Sequence, residues 1–343
     1  MSPEAALRGK AALPQEAALP VLVLFGPTAS GKTEILESLF AGEGARFLAE
    51  VVSADSMQVY RGMDVGTAKP DVSTRSRLPH HLIDIRNPDE QFSVGDFIRL
   101  ADVACHDIVE RGRIPVVSGG TGFYLKHFLL GLPAAPPSDP AVRTALQAEL
   151  AARGLDALAG ELAAVDPESA ERIHANDEYR ILRALEVFRV SGLPRSSFSA
   201  AGRVSDAEKR PSYRFLVLGL RRNRAELYRR IDERAHRMFQ YGLPEEVARL
   251  VEAGYGSTDP GLKAIGYREF FLEDGSIKRD HAEVEALVAR DSRRYAKRQQ
   301  TFFASIPGVR WIDFDEPQSS AIESITRELD TFLANASLRG AGP

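Results

Sequence analysis

One segment limits the possible folds of this chain more than any other. The apolar run Val21-Leu22-Val23-Leu24-Phe25 leads into Gly26-Pro27-Thr28-Ala29-Ser30-Gly31-Lys32-Thr33, and a helical pattern follows from Glu34 to Phe40. A continuous apolar run ended by glycine suits a strand buried on both faces. Gly-x-x-x-x-Gly-Lys-Thr between such a strand and a helix is a phosphate-binding loop in the context that the motif requires. Its glycines let backbone N–H groups curl around phosphate oxygens, and the helix N-terminus adds positive potential. Lys32 supplies a point charge, and the Thr33 hydroxyl is placed to ligate Mg²⁺.

Three further buried strands are expected, at 50–53, 114–118 and 214–220, with helical patterns between them, for example from Val94 to Arg111. Strands alternating with helices predict an α/β fold, a P-loop NTPase-like parallel sheet flanked by helices. From the Pro-rich stretch 133–140 to about Leu193 only helix signals occur, including the cap-like Asn176-Asp177. This predicts an all-helical insertion over 138–205 in a core formed by 20–137 and 206–335. Ile322, Ile325, Leu329 and Phe332 recur at helical spacing and should pack back on that core. The segment 1–19 is rich in Ala, Pro and Glu and lacks the pattern of a secretory signal. It is expected to be a disordered extension, and 336–343 a flexible tail.

A phosphate loop implies a di- or triphosphate-like ligand without implying ATP hydrolysis. No Asn-Lys-x-Asp follows it, and the strand at 114–118 runs into Gly119-Gly120-Thr121 without the acid that usually assists Mg²⁺ and water in P-loop NTPases. Asp55, which ends the strand after the phosphate-loop helix, is the acid of that kind. It is a candidate general base for an acceptor bound beside the phosphates, with capping of the next segment as the competing role.

Bulk properties exclude other classes. No stretch is apolar and long enough to span a bilayer, so no membrane partner and a cytoplasmic location are expected. The single cysteine, Cys105, rules out an internal disulfide framework and a multi-cysteine zinc site, and its helical setting marks it as a buried apolar residue. A net charge of −4 requires any nucleic-acid surface to be local. Arg290, Arg294, Lys297 and Arg298 recur at helical spacing on 283–305, with Arg293 nearby and Val284, Val288, Tyr295 and Phe302 as an opposite, core-like set. Arg180 and Arg183 share another helical face. Such stripes can track phosphates, although each alone is more often a solvated face. Tyr60 and Tyr267 are candidates for stacking on bases, or else core aromatics.

Taken together and in order, several segments resemble the tRNA dimethylallyltransferase (tRNA isopentenyltransferase) family over about residues 21–304. They are the phosphate loop, 53–60 (Ser-Ala-Asp-Ser-Met-Gln-Val-Tyr), 62–70, His81-Leu-Ile-Asp84, 119–124, Asn176-Asp177 with Arg180, Arg183-Ala-Leu-Glu186, Gly266-Tyr267-Arg268 and Ala296-Lys-Arg-Gln299. The resemblance implies transfer of a five-carbon group from dimethylallyl pyrophosphate to the exocyclic N6 of adenosine 37, next to the tRNA anticodon. It implies a Mg²⁺ cofactor, a tRNA anticodon stem-loop as partner, and a monomer. It places the pyrophosphate on Gly26 to Thr33 and Arg224. The catalytic residues would be Asp55, Thr121, Lys32 and Arg143. The tRNA would meet Asp55, Ser56, Met57, Gln58, Thr121, Arg143, Tyr179, Arg180, Arg183, Lys263, Gly266, Tyr267, Arg268, Lys297, Arg298 and Gln299. After Gln299 this chain has Gln300-Thr301-Phe302-Phe303-Ala304, where the family often has Thr-Trp-Phe-Arg, so one basic residue is missing. The rival expectations are a small-molecule kinase using ATP, which explains the loop and the acid but not Gly119-Gly-Thr121, and a non-catalytic RNA-binding module, which leaves the phosphate loop idle.

Overall fold

The computed structural model describes residues 18–42, 45–132, 134–200, 210–278, 280–314 and 318–337. Of the expected extension over 1–19, only residues 18 and 19 are described. Of the expected tail over 336–343, only 336 and 337 are described, and they continue the last helix. The chain divides into two compact units, one formed by residues up to Lys126 and from Pro211 onward, the other by His127–Arg210.

The first unit is built on a six-stranded parallel sheet. Its strands are β1 (Leu19–Phe25), β2 (Ala49–Ser53), β3 (His80–His81), β4 (Ile114–Gly119), β5 (Tyr213–Arg221) and β6 (Arg310–Asp313), in the order β3-β2-β4-β1-β5-β6. Val21 to Phe25 are fully buried, as a central parallel strand covered on both faces demands. One face carries a core in which Leu22, Leu24, Ile35, Leu39, Leu218 and Leu220 meet Ile325, Leu329 and Phe332 of the C-terminal helix α13 (Gln318–Ser337). Each such side chain, fully buried, contributes about 1.5–3 kcal/mol. Helix α1 (Lys32–Phe40) follows the phosphate loop, and α2 (Val72–Arg77) precedes β3. The long α3 (Val94–Glu110) starts from a reciprocal Ser93–Asp96 capping box and buries Cys105. Helix α4 (Gly122–Leu130) follows β4. Strands β3 and β6 were not expected: they lie at the sheet edges and are only two and four residues long, β3 with no apolar residue and β6 with two, too few to form a marked apolar run.

In the second unit, α5 (Pro140–Arg153), α6 (Leu155–Val165), α7 (Pro167–Arg172), α8 (Glu178–Ser191) and α9 (Arg195–Ala200) follow one another. α5, α6 and α8 enclose a core of Leu146, Leu158, Leu162, Ile181, Leu182, Ala184 and Leu185. This unit is wider than the expected 138–205, because residues 127–130, at the end of α4, belong to it. The proline-rich stretch thus joins two helical pieces of one unit.

Beyond β5 come α10 (Arg224–Gln240), α11 (Leu243–Glu252) and α12 (His281–Phe303), which return to the first unit. Among the described residues no helix is long and apolar enough to cross a membrane.

Candidate active site

In an open parallel sheet, ligands bind beyond the carboxyl ends of the strands. Here β2, β4 and β1 are neighbours, so the loops leaving them are brought side by side. They are the phosphate loop after β1, the Asp55 loop after β2 and the Gly-Gly-Thr turn after β4. Gly119 is required by a close approach: a Cβ there would lie 2.2 Å from the Ala54 carbonyl oxygen. This is why β4 ends in glycine, where other phosphate-loop proteins place an acid. Thr121 donates its N–H to the same carbonyl at 3.1 Å.

These loops, with α10 and α12, enclose a cavity of about 460 Å³. Thr28 to Thr33 line it, whereas Gly26 and Pro27 lie behind and offer carbonyl oxygens to the Lys32 ammonium at 2.9 Å each. Gly31 caps α1 in the left-handed region, at φ 100°. Burial, then the neighbouring Arg234 guanidinium, lower the Lys32 pKa to about 8 against the opposing pull of Asp55.

Asp55, Ser56, Met57 and Gln58 line the same cavity. The Asp55 carboxylate accepts the Met57 N–H at 2.9 Å, so the capping role is real and also fixes the acid in place. Thr121 is not on the cavity wall. Its hydroxyl accepts the Ser56 N–H at 2.9 Å and thereby holds the acid-bearing loop from behind.

The cationic wall differs from the one expected. Arg224 is exposed, with its guanidinium 5.1 Å from the Tyr228 ring centroid, and lies outside the cavity lining. It sits at the first position of α10, on the solvent side. Two residues further along that helix do reach the site. Arg230 donates to the Ala29 carbonyl at 3.0 Å and pairs with Glu34. Arg234 donates to the Thr28 hydroxyl at 2.9 Å, and burial lowers its pKa. Arg222 holds the Ser30 carbonyl at 2.9 Å. The sequence does carry a signal for Arg234, since it falls on the stripe that buries Leu227, Ile231, Ala235 and Met238, where an arginine has no reason to be unless it faces a polar site.

Of the expected tRNA contacts in this unit, Lys263 and Arg268 line the cavity, as does Arg298, while Lys297 is exposed. Gly266 and Tyr267 are corrections. Both are buried, and the Tyr267 hydroxyl donates to Glu246 at 2.7 Å. The same carboxylate accepts the N–H groups of Asp64, Val65 and Gly66, so Tyr267, expected at the tRNA, instead helps Glu246 to lock the loop 62–70 in place. Each of those N–H groups, left unpaired, would cost about 1–3 kcal/mol. Tyr60 is buried as well. Gln299 also lines the cavity, but its carboxamide is buried and taken up by the backbone of two loops.

The basic stripe of α12 is largely neutralised: Arg290 and Arg294 share Asp291, and Arg293 pairs with Asp232. Among the described residues Lys297 and Arg298 have no ion-pair partner. Tyr295, expected in the core, lines the cavity, and burial followed by the nearness of Asp55 raises its pKa to about 12.

In the helical unit, Glu186 is fully buried and gathers Arg143 at 3.3 Å, Arg183 at 2.9 Å and the Asp139 N–H at 2.8 Å. Arg143 and Arg183 are thus held by a carboxylate. Tyr179 is 67% exposed, and its ring lies 4.9 Å from the Arg143 guanidinium. Among the described residues Arg180 pairs only with the partly exposed Asp177.

The Lys32 pKa gives a testable pH dependence. An anion binds the protonated ammonium, so pyrophosphate affinity should be greatest below about pH 8. It should fall by up to ~10-fold per pH unit above that. Titrating pyrophosphate from pH 6.5 to 9.5 checks this as the ratio of wild type to Lys32→Ala, which cancels the ligand's own ionisation. A ratio independent of pH would refute it.

Comparison with known proteins places this geometry. The IPP transferase family model matches residues 58–306. A protein named tRNA dimethylallyltransferase 2 from Geotalea daltonii is 45% identical over 301 residues, covering 87% of this chain and 89% of the relative. The crystal structure of a full-length tRNA isopentenylpyrophosphate transferase from Bacillus halodurans superposes with a TM-score of 0.66 at 36% identity, covering 93% of this chain and 98% of that one. A eukaryotic dimethylallyltransferase acting on tRNA shares the fold, with a TM-score of 0.72 at 24% identity. A family match over most of the chain, joined to a phosphate loop, an acid and a glycine turn around one cavity, establishes that the chain belongs to the IPP transferase family.

Proposed function

We propose that this chain transfers a dimethylallyl group from dimethylallyl pyrophosphate to N6 of the adenosine beside the tRNA anticodon. The observation that carries the reading is the single cavity with Lys32 and Arg234 toward the phosphate loop and the Asp55 carboxylate beside them. The bond from N6 to the prenyl carbon forms as the bond from that carbon to the pyrophosphate oxygen breaks. The electron pair leaves with the pyrophosphate, whose charge Lys32 stabilises. The N6 proton passes to Asp55. A base can enter such a cavity once it leaves its stack, at a cost of about a few kcal/mol.

The residues present fit Mg²⁺ carried on the pyrophosphate. Thr33 presents a hydroxyl at the cavity, and among the described residues no group of three acidic, His or Cys side chains forms a cage of its own. Mg²⁺ typically takes few protein ligands together with phosphate oxygens. When bound it would help to neutralise the leaving pyrophosphate, with Thr33 as its protein ligand. The helical unit takes the anticodon arm, with Tyr179 and Arg180 as its exposed contacts, and the enzyme acts as a monomer. A kinase using ATP is not favoured, because relatives similar over most of the chain are named for dimethylallyl transfer to tRNA.

The test offers labelled dimethylallyl pyrophosphate, ATP and GTP separately against bulk tRNA. Label should enter tRNA from the prenyl donor alone, with one pyrophosphate released per transfer and no nucleotide consumed. ATP hydrolysis coupled to tRNA modification would overturn the reading.

A further inference from the structure

Gln299 sits on α12, far in sequence from both loops that it touches. Its Oε1 accepts the Thr28 N–H of the phosphate loop at 2.9 Å, and its Nε2 donates to the Gly120 carbonyl of the acceptor-side turn at 2.8 Å. The side chain is 5% exposed, so neither bond competes with bulk water. The fit is close, since a Cβ at Gly120 would lie 2.6 Å from Nε2. Gly120 in turn precedes Thr121, whose hydroxyl holds the Asp55 loop through Ser56. Tyr295, one turn earlier on the same helix face, lines the cavity beside Gln299. A carboxamide is the uncharged side chain that satisfies an N–H with one end and a C=O with the other.

We propose that Gln299 is a positioning residue that straps the phosphate loop to the Gly-Gly-Thr turn and so sets the distance between the donor's leaving group and the acceptor's base. The strap commits the Thr28 N–H to Gln299, the Ser30 N–H is taken by the Pro27 carbonyl, and the amides of Ala29, Gly31, Lys32 and Thr33 are left for the phosphates. This rests on the prenyl-transfer reading for its consequence but not for its geometry.

Two variants separate positioning from mere folding. Gln299→Met keeps the volume and removes both bonds. Gln299→Glu keeps an acceptor for Thr28 but, when ionised, faces the Gly120 carbonyl with a second acceptor. When protonated it regains the donor and acceptor pattern of glutamine, and burial raises the pH at which that happens. Pyrophosphate-binding stoichiometry counts the folded sites. Per folded site and with both substrates saturating, Gln299→Met should lower single-turnover transfer by ~10²-fold, the effect of about 1 Å of misplacement. Its pyrophosphate affinity should stay within about threefold, because the remaining amides and Lys32 still hold the anion. The rate of Gln299→Glu relative to wild type should rise as pH is lowered from 8 to 6, and that of Gln299→Met should not. Hydrogen exchange of the peptide containing Thr28 should quicken in Gln299→Met. A near-normal rate in Gln299→Met, a flat pH ratio in Gln299→Glu, or a loss of pyrophosphate affinity in proportion to rate would overturn the positioning role. Unchanged exchange would overturn the strap itself. A wild-type chain that transfers nothing would refute the proposed reaction and leave the strap to be decided by exchange.

Discussion

Replacing Asp55 with alanine is expected to lower single-turnover transfer by ~10²–10⁴-fold, the usual contribution of a positioned general base. The carboxylate lines the cavity, and Lys32 and Arg234 both feel its charge. One of its oxygens is committed to the Met57 N–H, and among the described residues the other makes no hydrogen bond. That division suits a base held in orientation with one oxygen left for N6. It also creates an ambiguity, because alanine removes the turn and the base together. Asp55→Asn resolves it. The amide oxygen can still accept the Met57 N–H, so the loop is kept while the proton acceptor is lost. We expect Asn to be nearly as slow as Ala. Glu should also be slow, since an added methylene displaces the carboxylate and about 1 Å can cost ~10²-fold. Affinity for tRNA should change far less, because phosphate contacts supply much of it. A near-normal rate for Asp55→Asn, measured with both substrates saturating, would make this residue a turn-former only.

Lys32→Ala is expected to lower the rate by ~10²–10³-fold and to weaken donor binding, with tRNA binding nearly intact. That range is typical for loss of one preorganised group that stabilises developing negative charge. Lys32 is half-buried at the start of α1, where it lines the cavity, and its pKa of about 8 leaves it protonated at neutral pH. A charge in so enclosed a site acts more strongly on leaving oxygens than a solvated one. Arg230 and Arg234 remain to hold the loop, so the backbone should persist. Filter binding of tRNA at fixed salt, beside a pyrophosphate titration, separates the two substrates. Loss of tRNA binding with donor binding spared would refute the assignment.

The phosphate loop was legible in the sequence because all of its chemistry lies within eight consecutive residues, between a strand and a helix. The four longer strands were legible for a similar reason: a continuous apolar run reports burial on both faces. Asp55 could be singled out because strand ends converge in a parallel sheet, although β2 itself stops at Ser53. The helical insertion could be seen too, but not its limits, since the boundary falls inside α4.

Beyond these, what decided the site was which long-range partner each polar side chain met. Arg230 and Arg234 replaced Arg224 at the phosphate loop because α10 turns that face inward, a matter of packing against α12. Tyr295 and Phe302 had the same spacing as the core set, yet one faces the cavity and the other lies against Gly122. Tyr267 and Gln299 sit in motifs with basic neighbours and were expected at an RNA surface. Glu246 and the Thr28 amide, both distant in sequence, drew them into the interior. Periodicity and turn chemistry are local properties that a sequence displays directly. Whether a glutamine or a tyrosine faces a ligand or satisfies a buried backbone group depends on donors and acceptors that only the folded chain brings within about 3 Å.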